Sequence, residues 1–198
     1  MTQKAKPKEP ELRVTKEKAA ENRDRILQAA ARLIRERGIA GVGVDALTEA
    51  AGLTHGSLYS QFGSKESLAA EALSVALAGN ADTLEALGLA GYTEGYLSTK
   101  HRDAPGQGCA LAALGCDMPR ESQLIRRRFT EGFRRLTGLV SEMLRARSRR
   151  SSEDEALATV ATLVGAVILA RAVDEPDLSA RILAASRASL ASDRERAG

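Results

Sequence analysis

Residues 44–65 read VDALTEAAGLTHGSLYSQFGSK. The apolar spacing predicts a short helix from Val44 to Ala51, a tight turn at Gly52-Leu53-Thr54, and a second short helix from His55 to Phe62 that stops at Gly63. Two short helices joined by a turn containing Gly form a helix-turn-helix, whose second helix docks in the DNA major groove. On that helix Leu58 and Phe62 are an i,i+4 apolar pair pointing inward. His55, Ser57, Tyr59 and Gln61 are left facing outward, with Thr54 at the N-terminus. Small hydrogen-bonding side chains at a helix start suit contact with base edges. Gly56 allows the backbone to approach a groove wall. Gly inside a helix costs about 1 kcal/mol, so its presence has either a packing or a contact reason. Tyr59 offers a hydroxyl to a phosphate. Ser64 is a good N-cap, and the helix it starts presents free N–H groups beside Lys65, an anion site. The alternative is that Tyr59 merely packs and Lys65 is solvated.

Upstream, Ile26, Leu27, Ala30, Leu33 and Ile34 recur at helical spacing, which predicts a helix from about Lys16 to Arg37. Arg35 and Arg37 suit its negative end, and Gly38 is a natural C′ residue. A fourth helix is expected from Lys65 to about Leu77, so residues 16–78 read as a self-contained unit. Residues 1–15 look like a disordered basic tail. Its Lys4, Lys6, Lys8 and Arg13, with Lys16 and Lys18, either lie on phosphates or in a minor groove, or are solvated.

Downstream, helices are expected over Ala81 to Leu97 (weakened by Gly88, Gly91 and Gly95), from about Cys109 to before Pro119, and over Ser122 to Ala146, Ala156 to Val173 and Leu178 to Arg194. Residues 98–108 read as a loop. Ser152 and Glu155 form an S-x-x-E capping box. No strand pattern and no repeat of 20–50 residues is visible. The expected fold is all-α.

The 198 residues fit one or two small domains, and a 43% hydrophobic content supports a buried core. Aromatics are only 3%, so that core is built from Ala, Leu, Val and Ile. A net charge of +3 does not by itself point to nucleic acid. No apolar run follows the N-terminal MTQKAKPKEPELR, so no signal peptide is expected. The run from Val160 to Ala170 is about half the roughly 20 residues of a membrane span, so no membrane association is expected. Two cysteines make no disulfide framework, and a cytoplasmic location fits.

The pattern R23-x-x-I26-L27-x-A29-A30-x-x-L33, then G38, then A46-L47-x-x-A50-A51-G52-L53-T54-x-G56-S57-L58-Y59-x-x-F62-x-S64-K65-E66-x-L68 resembles the DNA-binding domain of TetR/AcrR-type transcriptional repressors. The likeness spans about a quarter of the chain. It implies a homodimer of about nine helices. The first three or four bind double-stranded operator DNA, and residues 79–198 form a ligand-binding and dimerisation domain. It also implies repression that a small-molecule inducer relieves. By position, Thr54, His55, Gly56, Ser57, Tyr59, Gln61 and Lys65 fall on the family's DNA contacts. Gly43 departs from the pattern where many members carry Ser or Thr at the start of the second helix, and Gln61 replaces the more usual His or Tyr.

Several features of the C-terminal region then become candidates. The helix 156–173 is apolar nearly all round and needs burial on most sides. With 178–194 it forms either a dimer interface, as a four-helix bundle made from two copies, or an internal core. Tyr92 with Tyr96 and Phe129 with Phe133 are i,i+4 pairs, on helices that resemble those lining the family's pocket. They contribute either to an apolar ligand site with two hydroxyls or to an ordinary core. Cys109, in the first turn of a helix, is either a redox or electrophile sensor with a lowered thiol pKa or a small buried hydrophobe. Cys116 lies seven residues on, about 10.5 Å along a helix, too far for a disulfide with Cys109. The arginines of 120–150 read as a solvated face rather than a second nucleic-acid site.

Two other classes compete with a ligand-responsive regulator. An all-helical enzyme would need chemistry that is not visible: the two His lie on separate segments, no metal-ligand spacing or phosphate-binding glycine pattern occurs, and Glu153-Asp154-Glu155 suits a helix start. No catalytic residue, metal or cofactor is therefore expected. A non-specific DNA-binding protein would need a larger basic excess.

Overall fold

Nine α-helices and two single turns of 3-10 helix, with no strand, make up the regular structure among the described residues. The computed structural model describes residues 16–148 and 152–196. The expected basic tail 1–15, and Arg149 and Arg150, lie outside them. The helices are α1 (Lys16–Arg37), α2 (Val44–Ala51), α3 (His55–Phe62), α4 (Lys65–Tyr96), α5 (Thr99–Asp103), α6 (Ala110–Leu114), α7 (Gln123–Arg147), α8 (Glu153–Ala172) and α9 (Pro176–Arg196). The 3-10 turns are Pro105–Gln107, before α6, and Met118–Arg120, before α7.

The stripe Ile26, Leu27, Ala30, Leu33 and Ile34 is buried, and α1 lays it against α2 and α4. Val42, Leu47, Leu58 and Phe62 complete the same core. Leu58 is wholly buried; cutting such a side chain back to Ala costs about 2–5 kcal/mol. The turn between α2 and α3 depends on Gly52, at φ 64° and ψ 37°. Its N–H reaches the Glu49 carbonyl at 3.1 Å, and Leu53 N–H reaches Thr48 at 2.8 Å. These bonds satisfy carbonyls that the end of α2 would otherwise leave open, in a left-handed conformation that favours glycine.

Downstream the structure corrects several expected boundaries. The fourth helix does not end near Leu77. It passes through Gly79 and breaks at Gly88, where φ is 65° and ψ 169°. Buried Ala76, Leu77, Ala81 and Leu84 hold the helix on both sides of Gly79, and this packing outweighs the roughly 1 kcal/mol propensity cost of one glycine. The Gly88 backbone lies in a region open essentially to glycine alone. Its break redirects the last turns of α4, which carry Tyr92 and Tyr96. Because α4 runs unbroken across residues 78–79 and kinks only at Gly88, the N-terminal unit and the remainder share the first part of this helix.

The expected loop 98–108 is largely helical. Ser98 accepts a hydrogen bond from His101 N–H at 3.2 Å and caps α5. Pro105 then opens the first 3-10 turn. The helix expected from Cys109 to before Pro119 ends at Leu114 and continues as turns. Caps at Ser64, Ser122 and Ser152 start α4, α7 and α8. Ser152 accepts from Glu155 N–H at 3.1 Å, as the capping-box spacing predicts.

Candidate nucleic-acid interface and ligand cavity

Helix α3 buries Leu58 and Phe62 and turns Thr54, His55, Gly56 and Tyr59 to the surface. Tyr59 is 49% exposed, unusually open for a large aromatic side chain. Thr54 is the N-cap: its hydroxyl oxygen accepts from Ser57 N–H at 3.2 Å, which leaves its proton free to donate outward. His55 Nε2 lies 2.7 Å from Asp45 Oδ1, tying the start of α3 to the start of α2. Gln61 Nε2 donates to Ser57 Oγ at 3.0 Å, so these half-buried side chains order one another along the helix. A Cβ placed on Gly56 meets nothing within 4 Å. Internal packing therefore does not require this glycine. Gly43 is the N-cap of α2 without a side-chain cap, also in open space. Lys65 stands half-buried at the start of α4.

Arg23, to which the sequence reading gave no role, holds this unit together. Its Nη1 donates to the Gln61 carbonyl at 3.1 Å, and its Nη2 meets Glu71 Oε2 at 2.5 Å. The guanidinium also lies 4.3 Å from the centre of the Phe62 ring, within cation–π range. One side chain thus ties α1 to the end of α3 and to α4.

A cavity of about 330 Å³ lies over the last turns of α4, a size that suits a small ligand. Its wall includes Asn80, Leu87, Tyr92, Tyr96, His101 and Cys109. The expected ligand residues divide here. Tyr92 and Tyr96 line the cavity, with ring centroids 5.3 Å apart. Phe129 and Phe133 do not. They sit half-buried on α7, packed against the main core, because α7 runs along the earlier part of α4. Asn80, Leu87 and His101 come from segments whose local pattern carried no ligand signal.

Cys109 is the residue before α6 rather than in its first turn, and it is buried. Its Sγ accepts from Asn80 Nδ2 at 3.0 Å. Burial pushes its thiol pKa up, outweighing the opposing effects of Tyr96, nearby α6 N–H groups and Arg171. The expected lowering of its pKa is therefore corrected. Cys116 is exposed, and both cysteines are free.

His101 organises the cavity wall. Its Nδ1 lies 2.7 Å from the Tyr96 carbonyl, which only accepts, so Nδ1 carries the proton. Its Nε2 accepts from Cys109 N–H at 2.9 Å. The ring is thus a neutral imidazole with a fixed tautomer, and burial holds its pKa below the ordinary value.

The segment from Ser98 to Cys109 is pinned on both sides. Toward α1, Arg35 donates to the Gly106 carbonyl through Nε at 2.9 Å and Nη2 at 2.6 Å. Toward α8, Arg171 donates to the Arg102 and His101 carbonyls, each at 2.9 Å. Arg102 Nη1 reaches Ser179 Oγ at 2.9 Å on α9. Burial lowers the pKa of both Arg35 and Arg171. The approaches are close. A Cβ on Gly106 would fall 2.3 Å from Glu36 Oε1, and one on Gly108 would fall 2.5 Å from His101 Nε2.

These features define an all-helical helix-turn-helix protein with a cavity beside its DNA-binding unit. Residues 26–72 match the family model described as bacterial regulatory proteins, tetR family. Solved structures share the fold over most of the chain. The reduced form of Escherichia coli NemR is 23% identical, covering 85% of this chain and 94% of its own, with a TM-score of 0.72. A TetR transcriptional regulator from Chloroflexus aurantiacus is 25% identical, covering 89% and 95%, with a TM-score of 0.71. A TetR-family regulator from Cytophaga hutchinsonii is 23% identical, covering 88% and 96%, with a TM-score of 0.70. No curated protein matches. Residues 26–72 are thus a tetR-family DNA-binding domain, and the chain as a whole shares the fold of TetR-family transcriptional regulators.

Proposed function

We propose that the protein is a cytoplasmic repressor that binds a palindromic operator as a homodimer and releases it when a small molecule enters the cavity. The observation that carries this reading is the double attachment of residues 98–109. The segment walls the cavity and is bonded through Gly106 to Arg35 on α1, the helix that supports α2 and α3. A ligand that displaces this wall pulls on the DNA-binding unit. In this reading Thr54, His55, Ser57, Tyr59 and Gln61 meet bases or phosphates, Gly56 admits the backbone to the groove, and Lys65 takes a phosphate.

The apolar surface of α8 supports the dimer. Among the described residues, α8 is the one helix long and apolar enough to cross a membrane, yet only 33% of its most apolar window is buried. Leu157 and Leu169 are 37% and 57% exposed on it. Together with Ala161, Gly165 and Ala172 they form one stripe of the helix, and Ala180, Ala184 and Ala188 give α9 a similar small-residue row. Two copies that pack these stripes together bury them in a four-helix bundle.

A reversible ligand suits the cavity better than a thiol-reactive inducer, since a buried, protonated Cys109 thiol is a poor nucleophile. The test is fluorescence anisotropy on the DNA upstream of the protein's own gene, with excess unrelated duplex, followed by footprinting. A protected palindrome that survives the competitor supports the repressor. Binding that the competitor abolishes, on this DNA and on fragments selected from the whole genome, points instead to a non-specific DNA-binding protein.

A further inference from the structure

His55 is the first residue of α3, and one bond fixes how its ring is presented. Nε2 lies 2.7 Å from Oδ1 of Asp45, in the first turn of α2. A carboxylate only accepts, so Nε2 carries the proton. In an uncharged imidazole the other nitrogen, Nδ1, is then a lone-pair acceptor with no hydrogen to give. Among the described residues neither side chain has another polar partner. The His55 side chain is 58% exposed, so the ring is open to an approaching groove.

The hydroxyls beside it carry no such fixed polarity. Thr54 Oγ1 accepts from Ser57 N–H, and Ser57 Oγ accepts from Gln61 Nε2. Each hydroxyl keeps a proton to donate and a second lone pair to accept with, so it suits either kind of base edge. The tied imidazole cannot turn its proton outward. On the DNA, phosphate oxygens only accept, so Nδ1 finds no bond there. In the major groove the donors are the exocyclic amines, adenine N6 and cytosine N4, whereas guanine and thymine present only acceptors.

We infer that His55, with its tautomer set by Asp45, is a specificity-determining residue that selects an amino base (adenine or cytosine) over a keto base (guanine or thymine) at one position of the operator half-site. This rests on reading α3 as the helix that enters the major groove. Asp45 is a positioning residue: it holds the ring and does not touch the base.

The test is selection from a library of random duplexes, at pH 8 to keep imidazole uncharged, by the full-length wild type, Asp45→Ala and His55→Lys. Both side chains are exposed, so neither substitution empties the core. The wild-type motif should contain a position where adenine or cytosine is favoured over guanine and thymine about fivefold, the worth of one net hydrogen bond. Asp45→Ala frees the ring to offer either nitrogen, so that position alone should lose its preference. His55→Lys, which only donates, should reverse the preference there toward guanine or thymine. A loss spread evenly over all positions in Asp45→Ala would mean that the pair merely joins α2 to α3, and overturns the inference. A keto preference at that position in the wild type overturns it too, as does a motif in which no position responds to either substitution. A wild type that selects no motif at all overturns the reading of α3 itself, and the inference with it.

Discussion

Arg35 holds the carbonyl of Gly106 with two donors, Nε at 2.9 Å and Nη2 at 2.6 Å, across 71 residues of sequence. The bond joins the end of α1 to the wall of the cavity. Charge-assisted bonds of this kind are among the stronger hydrogen bonds in proteins. A Cβ at Gly106 would strike Glu36, so the segment fits closely against α1. The opposite side of the same segment is fixed to α8 by Arg171 and to α9 by Arg102. The segment therefore links α1 to α8 and α9, and in the proposed mechanism a change in the cavity wall moves these helices relative to one another.

Gly56→Ala separates stability from DNA binding. The position is in the first turn of α3 and open around an added Cβ. Alanine should raise stability by up to about 1 kcal/mol, the full helix-interior difference, or up to about 4 °C in Tm for a chain of this size. Operator affinity should fall, because the methyl group holds the backbone away from the groove. Calorimetry and anisotropy on the same variant measure both effects. Unchanged operator affinity would leave Gly56 without a role at the DNA.

Gly43→Ser restores a missing cap. The residue has φ −76° and ψ 165°, an extended conformation open to serine, and makes no side-chain cap. Serine should add a few tenths of a kcal/mol and bring a hydroxyl to the start of α2, tightening operator binding. Because the added group is neutral, the slope of log K against log salt should not change. A steeper slope would point to a rearranged interface rather than one added hydrogen bond.

His101 makes stability depend on pH in a defined direction. Burial lowers its folded-state pKa, assisted by Arg171 and opposed by the Tyr96 carbonyl. The unfolded chain binds a proton near the ordinary value of about 6.5, and the folded chain does so only at lower pH. The contribution of neutral His101 is therefore complete above about pH 6.5 and is lost as pH falls from there toward the folded value. Protonation at Nε2 also removes the acceptor for Cys109 N–H. Tm measured from pH 7.5 to 5.5 should fall for the wild type and fall less for His101→Gln. Parallel curves would show that His101 does not titrate in this range.

The helix-turn-helix was legible because its signals are local. Gly52 and Gly63 end their helices, Thr54 and Ser64 start the next, and Leu58 with Phe62 mark the buried face within a few residues. The cavity was legible only in part. Tyr92 and Tyr96 stand out as an aromatic pair, but the equally spaced Phe129 and Phe133 pack elsewhere. Helical spacing reports that a face is buried and not what it is buried against. The bend at Gly88 could not be distinguished from Gly79, because packing on both sides decides which glycine breaks the helix. Arg23, Arg35 and Arg171 bond to partners 38–71 residues away, and no local periodicity encodes such pairings.

The most direct test of the coupling is operator anisotropy on the wild type and on Arg35→Gln, with and without saturating acetophenone, a small uncharged probe for the cavity lined by Leu87, Tyr92 and Tyr96, its binding confirmed by calorimetry. Arg35→Lys, which keeps the charge and one donor, guards against simple loss of fold. The account predicts that acetophenone weakens operator binding by the wild type. Arg35→Gln should bind acetophenone as well as the wild type does yet keep most of its operator affinity in its presence. Release of the operator by Arg35→Gln to the same extent as by the wild type would contradict the account, because the cavity would then reach the DNA-binding helices without the Arg35–Gly106 bond.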